Sequence, residues 1–232
     1  MDCRGVTGVV FGSLLAVLIR RGSLGANQHQ RLAYINQWMK SWYDENTGTP
    51  RLPLLKLENL VLSNWAELHG PAIKAANSRH AAPLFAALAR ECCTEPTSHD
   101  EAVIEVTSRL EEFYDILDTA SMFLTPRQQQ TLSLTCEKFG VAFQRLRMIS
   151  ATRGQLRWQV KPKLHKMMHW PLFSAVINPK RVGCYGDESQ IGSSCQVWKR
   201  CVSGRYEKIV QRNVLLKRWV ALLLRLYELA HE

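Results

Sequence analysis

Apolar residues recur every three or four positions along almost the whole chain, and this spacing constrains the fold more than any other feature. In residues 27–44 the apolar face consists of Leu32, Ile35, Met39 and Trp42. A series of alternating polar and apolar residues that would predict a sheet does not occur, although short strands near residues 157–160 are compatible with the sequence. The chain is therefore predicted to be mainly α, an irregular multi-helix domain with few or no strands.

Turn and capping residues divide this pattern into separate helices. The helices are predicted near residues 27–44, 101–123, 126–149 and 206–230, with a shorter one at 54–62. The start of the third is the best defined, because Thr125 can cap a helix whose first residue is Pro126. A proline inside a helical pattern removes a backbone hydrogen bond, so Pro83 is predicted to kink or break the helix around it.

A chain of 232 residues that is 46 % apolar can bury a substantial core. Three parts are predicted. Residues 1–25 form an apolar N-terminal segment, residues 26–150 form a helical domain, and residues 151–232 form a basic helical part packed on that domain as one unit.

The N-terminal segment contains an apolar run of 14 residues without a charge at residues 6–19. The run is shorter than the roughly 20 residues that a membrane-spanning helix needs, but it has the length of a signal-peptide core. A buried first helix has the same composition. Two interpretations therefore stay open: a core helix, or a signal or anchor of a secreted or membrane-associated protein.

The charge is distributed unevenly. Residues 1–137 carry 12 basic and 15 acidic side chains, whereas residues 138–232 carry 18 basic and 5 acidic ones. Such asymmetry favours a polyanionic partner, and nucleic acid is the partner predicted here. The residues predicted to contact phosphate are Arg157, Lys161, Lys163, Lys166, Lys180 and Arg181. Trp158 or Trp170 would be able to stack on a base.

The seven cysteines are odd in number and irregular in spacing. This usage is typical of reduced thiols, and it predicts a nuclear or cytoplasmic protein.

His165 and His169 are four residues apart, so on a helix both imidazoles could reach one metal ion. Zinc would need two further ligands, and the chain contains no C-x-x-C pair. Lys161, Lys163 and Lys166 would repel a cation. No cofactor is predicted, because neither zinc nor magnesium has a full ligand set, and no small-molecule substrate is predicted.

Asp187 and Glu188 are the only acidic residues between Glu137 and Glu207. They precede a predicted helix, where carboxylates favour the N-terminal dipole. They are also candidates for a carboxylate aimed at a metal-bound phosphate in a basic cleft.

The order of several segments resembles the C-terminal part of DNA-transposon open reading frames. The segments are "RLAYINQWMKSWYDE", "LHGPAIKAANSRHAAPLFAALA", "FGVAFQRLR", "KPKLHKMMHW" and "NPKRVGCYGDESQIGSS". They are similar to cut-and-paste transposases with an RNase-H-like core and three catalytic carboxylates. Lys74, Ala75 and Arg79 match the family's K-A-x-x-x-R segment, and His165 and His169 match its H-x-x-x-H. The final acid of the family falls at Asp187 or Glu188, with Glu188 the better match.

The chain departs from that family in two ways. The first two catalytic carboxylates would lie upstream of Met1, and the C-x-x-C of zinc-bearing relatives is missing. The resemblance therefore implies a truncated or decayed copy that binds nucleic acid without a complete catalytic site. A membrane-associated or secreted helical protein and a helical interaction scaffold stay open as alternatives, and the sequence leaves the oligomeric state open.

Overall fold

A computed structural model describes residues 4–62, 65–68 and 79–182, and it confirms the mainly α fold class. The α-helices in these ranges are α1 (Arg4–Ile19), α2 (Gln28–Glu45), α3 (Ala82–Cys92), α4 (Ser98–Thr119), α5 (Pro126–Thr152), α6 (Pro162–Met168) and α7 (Trp170–Ser174). The 3-10 turns are Gly22–Leu24, Leu57–Asn59 and Pro179–Val182. The strands β1 (Leu60–Val61) and β2 (Glu67–Leu68) pair antiparallel. The predicted helix near residues 206–230 lies outside the described ranges.

The apolar run at residues 6–19 forms most of α1, and every residue of the run is buried. Helix α1 lies at the centre of the core, where it contacts α2, α3, α4, α6 and both strands. Its two polar positions inside the core are satisfied. The hydroxyls of Thr7 and Tyr114 lie 2.9 Å apart, and Ser13 accepts a hydrogen bond from a backbone amide. In the part of the chain that the structure describes, none of the helices is long and apolar enough to cross a membrane.

Strand β2 lies directly against α1, and Gly12 permits this approach. A Cβ atom added at Gly12 would stand 2.3 Å from the carbonyl carbon of Glu67 and 2.4 Å from the nitrogen of Leu68. Any side chain at this position would push the strand away from the helix. Gly8 of the same helix also faces the strand, but less closely. A Cβ atom added at Gly8 would lie at ordinary contact distance, 3.4 Å from the carbonyl oxygen of Leu68.

Helices α4 and α5 form the second layer of the core and follow each other in sequence. Helix α5 begins as predicted, because Thr125 and Gln128 form a reciprocal capping box and Pro126 opens the first turn. Helix α4 ends at Thr119, earlier than predicted. The side-chain amide of Asn178 donates to the carbonyl oxygens of Leu117, Ala120 and Ser121, and it thereby satisfies the end of the helix from a distant part of the chain.

The helix predicted at residues 54–62 is wrong. The segment contains only a 3-10 turn and β1. Side chains of α2 take the backbone hydrogen bonds of Leu55 within this segment and of Leu52 just before it. The phenol oxygen of Tyr43 accepts from the amide of Leu52 at 3.0 Å, and Asn36 bonds both the amide and the carbonyl of Leu55 at 2.9 Å.

The connection between α5 and α6 is irregular and contains no strand at residues 157–160. Trp158 adopts a left-handed backbone conformation with φ 56°, and its side chain is completely buried. A helix break is also present near Pro83, because a turn at Ala81 separates helical residues 79–80 from α3.

Candidate nucleic-acid interface

Residues 160–171 form α6, a turn at His169 and the start of α7. The buried side of this segment consists of Leu164, Met167 and Trp170. The exposed side carries Lys163, His165, Lys166 and His169. Burial of every third residue follows the helical period, and the buried side faces α1 and α5. The histidines and lysines therefore lie on the solvent side of this segment.

His165 and His169 contact each other directly. Their Nε2 atoms lie 3.0 Å apart, and their rings are nearly perpendicular with centroids 4.5 Å apart. A hydrogen bond between two ring nitrogens requires one to donate and the other to accept, so at least one imidazole is neutral. Among the described residues, no third His, Cys, Asp or Glu joins them to form a metal-binding group. These residues alone do not complete the four-ligand set that zinc requires.

Two of the predicted phosphate-binding lysines form ion pairs with acidic residues of the N-terminal half. The ammonium of Lys161 pairs with Glu67, and that of Lys180 lies 2.9 Å from Asp118. The carboxylate of such a pair partly neutralises the lysine, which reduces the attraction of that lysine for phosphate. Lys166, by contrast, is exposed on α6.

Arg157 is buried, with 6 % of its surface exposed, and its Nε atom has no hydrogen-bond partner among the described residues. The pKa of its guanidinium is lowered to about 10, first by burial and then by repulsion from Arg20 and Arg153. The group is still charged at neutral pH. No described carboxylate offsets this charge. The positive charges of Arg20 and Arg153 therefore repel that of Arg157 near the ends of α1 and α5.

Helix dipoles explain only part of this arrangement. Arg20 directly follows α1, and Arg153 directly follows α5. Cations at a helix C-terminus gain about 0.3–1 kcal/mol, and up to about 2 kcal/mol when they are partly buried. Removing an unpaired ion from water costs several kcal/mol. The dipoles are therefore too weak to offset the burial of Arg157.

A small cavity of about 140 Å³ lies beside Arg157. Its wall also includes Arg20, Ala16 from α1, Leu62 after β1, and Gly154 from the loop after α5. Among the described residues, those that line the cavity include no acid. Nη2 of Arg20 donates to the carbonyl oxygen of Leu62 at 3.1 Å, which holds this arginine at the cavity wall.

The two tryptophans predicted to stack on bases are core residues, so that prediction is wrong. Trp158 is 0 % exposed and Trp170 is 4 % exposed. The Trp158 ring packs edge-on against Phe143, and the Trp170 ring packs against Phe113 at a centroid distance of 5.4 Å. Their apolar surface stabilises the core, and an incoming base could not reach it without unfolding the segment.

A buried polar cluster that the sequence did not indicate joins α1, α3 and α4. Arg21 pairs with Asp100, and its Nη1 atom also donates to the carbonyl oxygen of Cys92 at 2.8 Å. His99 Nδ1 lies 3.3 Å from the same Asp100 oxygen. Burial acts to raise the pKa of Asp100, but the hydrogen bonds from Arg21 and His99 outweigh it and lower that pKa.

The neighbouring thiols of Cys92 and Cys93 are poor nucleophile candidates. Burial raises the pKa of Cys92 to about 11 and that of Cys93 to about 12. Because the thiolate is the reactive form, both thiols are unreactive near neutral pH.

Several predicted site residues lie outside the described part of the chain. These are Asp187 and Glu188, together with Lys74 and Ala75 of the K-A-x-x-x-R segment. The side chain of Arg181 is also outside it. Arg79 is described, and its guanidinium lies 3.4 Å from the carboxylate of Asp118.

Comparisons of the chain with protein-family models, curated proteins and solved structures found no match.

Proposed function

We propose that this chain binds nucleic acid through phosphate contacts. One observation carries the proposal: residues 138–182 contain ten basic and no acidic side chains, and many of the basic ones are exposed. We define the basic set as five exposed residues of α5, the turn after it, and α6. They are Lys138, Arg147, Arg153, Lys163 and Lys166.

Phosphate is the ligand chemistry that suits this set. Each Lys or Arg that neutralises a phosphate releases condensed counterions, so affinity for a nucleic acid falls steeply as the salt concentration rises. The buried tryptophans exclude base stacking by Trp158 and Trp170. We therefore expect binding with little sequence preference, because phosphate contacts carry no sequence information directly.

The transposon origin is part of the same proposal and rests on the resemblance of the sequence segments. Within it, Glu188 is the remaining one of three carboxylates, and His165 and His169 help to fix the local fold. Transfer of a phosphoryl group by two metal ions needs several carboxylates around the scissile phosphate. We therefore propose binding without cleavage.

Measurement of affinity against salt concentration tests the proposal. The change is the triple variant Lys138→Gln, Arg147→Gln and Lys166→Gln, measured by fluorescence anisotropy with a labelled DNA duplex. The matched control is Lys40→Gln, Lys56→Gln and Arg127→Gln, which removes the same charge from exposed positions outside the basic set. We expect the first variant to reduce the slope of log affinity against log salt by about two to three. An equal loss in both variants, or no binding by the unaltered chain, contradicts the proposal.

A protein-interaction scaffold is the second candidate, favoured by an apolar groove on α5. The groove has a volume of about 1090 Å³, and exposed apolar side chains line it between α5 and the α6–α7 segment. Among them are Val141, Met148 and Leu172, each more than half exposed in the described part of the chain. A protein partner whose binding does not weaken as the salt concentration rises would favour this candidate, since salt does not screen apolar contacts.

A further inference from the structure

We propose that the cavity beside Arg157 is a binding pocket for a tetrahedral oxyanion, namely a phosphate group. The proposal goes beyond binding of nucleic acid by the exposed basic set, because it concerns one small cavity with its own lining residues. It holds whether or not the exposed surface binds DNA.

The charges around the cavity favour an anion. Arg157 and Arg20 both line it, and Arg153 lies close enough to act on the Arg157 guanidinium. The described residues offer no carboxylate to this group, and the Nε donor of Arg157 is buried without a partner among them. A phosphate in the cavity would supply the missing negative charge, and it matches the planar fork of a guanidinium.

The size of the cavity limits the ligand. A volume of about 140 Å³ corresponds to the liquid volume of about five water molecules. Four phosphate oxygens around one phosphorus fit this space, whereas a complete nucleotide does not. The pocket would therefore accept inorganic phosphate or a terminal phosphate whose remainder stays outside.

The rigidity of the wall favours a formed site. Ala16 belongs to the buried α1 helix, and the amide of Ala66 donates to the carbonyl oxygen of Leu156 at 3.0 Å across the cavity wall. The amide of the adjacent Trp158 is held by Ser13. The backbone that carries Arg157 is therefore fixed on both sides, which reduces the ordering cost of binding.

Isothermal titration of the full chain with inorganic phosphate at constant ionic strength tests this pocket. We expect saturable binding with one site. Arg157→Met should weaken it by about tenfold or more, the loss expected for one charge-assisted hydrogen bond. Arg20→Gln, which changes an exposed residue of the cavity wall, should also weaken phosphate binding. This variant tests the pocket if Arg157→Met does not fold. Arg127→Gln is the matched control, because this exposed arginine neither lines the cavity nor belongs to the basic set.

A competition arm distinguishes the two sources of phosphate. A short oligonucleotide with a 5′-phosphate is compared with the same oligonucleotide lacking it. Competition by the phosphorylated form alone identifies a terminal phosphate as the ligand, and competition by neither identifies free phosphate. The proposal is overturned if phosphate does not bind, or if Arg20→Gln and every folded Arg157 variant bind it as tightly as Arg127→Gln does.

Discussion

The backbone amide of Trp158 donates a 3.0 Å hydrogen bond to Oγ of Ser13, across 145 residues of sequence. Both partners are buried, and Trp158 has a left-handed backbone conformation that few residues with bulky side chains adopt. The bond attaches the connection between α5 and α6 to the central helix, and it positions the adjacent Arg157. One polar side chain inside an apolar helix therefore fixes the loop that carries the proposed pocket.

Replacement of Ser13 by alanine should destabilise the fold by about 1–3 kcal/mol, because the buried amide of Trp158 would lose its acceptor. Urea unfolding followed by tryptophan fluorescence measures the change. Ser41→Ala, at an exposed position of α2, serves as the control and should change stability very little. Equal stabilities of the two variants would show that the Ser13 hydrogen bond contributes nothing.

Alanine substitutions at Gly12 and Gly8 should have opposite effects on stability. At Gly12 the new Cβ would overlap the backbone of β2, and overpacking of this kind costs about 1–3 kcal/mol. At Gly8 the new Cβ meets Leu68 at 3.4 Å, so the higher helix propensity of alanine can contribute up to about 1 kcal/mol. Thermal unfolding of both variants shows which of the two is more stable. A Gly12→Ala protein as stable as the Gly8→Ala protein would argue against close contact between α1 and β2.

The free energy of unfolding should decrease as the pH falls below 6.5, the ordinary pKa of histidine. Burial lowers the pKa of His99, although its hydrogen bond to Asp100 and the charge of Asp100 oppose this, and Arg153 and Arg157 add to the lowering. The unfolded chain therefore binds a proton at a higher pH than the folded chain, so acid favours unfolding. Partial burial and the charge of Arg79 also lower the pKa of His80. This shift further decreases the free energy of unfolding as the pH falls.

Denaturant unfolding from about pH 8 to about pH 5 measures this dependence. His99→Gln should reduce the slope in this range, because glutamine does not titrate. His29→Gln, at an exposed position of α2, is the control. An unchanged slope in His99→Gln would remove His99 as the cause.

Lys166 should contribute more to nucleic-acid binding than Lys161, although both are in the same basic stretch. Lys161 already pairs with Glu67, whereas Lys166 is exposed. Lys166→Gln should reduce the salt slope of DNA binding by about 1, and Lys161→Gln by less. Anisotropy titrations at several salt concentrations measure both. The reverse order would show that the Lys161–Glu67 pair opens on binding.

The chain alone should not cut DNA. The expected outcome is an intact supercoiled plasmid after incubation with magnesium or manganese. Two metal ions need several carboxylates, and Asp187 and Glu188 are the only acidic residues between Glu137 and Glu207. Agarose electrophoresis detects nicking. Nicking that Glu188→Gln abolishes would establish a catalytic site and contradict this prediction.

The sequence by itself determined where several helices begin and which face of each is buried. Asn27 caps α2 and Thr125 caps α5, because capping and helical periodicity depend on residues a few positions apart. These features need no knowledge of the rest of the fold.

Only the tertiary structure decided the features whose partners are distant in sequence. The segment at residues 54–62 is not a helix because the side chain of Asn36 on α2 takes both backbone hydrogen bonds of Leu55, and α4 ends early because Asn178 satisfies its last carbonyls. The candidate site depends on the same kind of contact. The composition of residues 138–182 identifies a basic region, but it does not indicate that Lys161 meets Glu67 or that Arg157 is buried. A charge is free, paired or buried according to which segments the folded core brings together, and local sequence patterns do not contain that information.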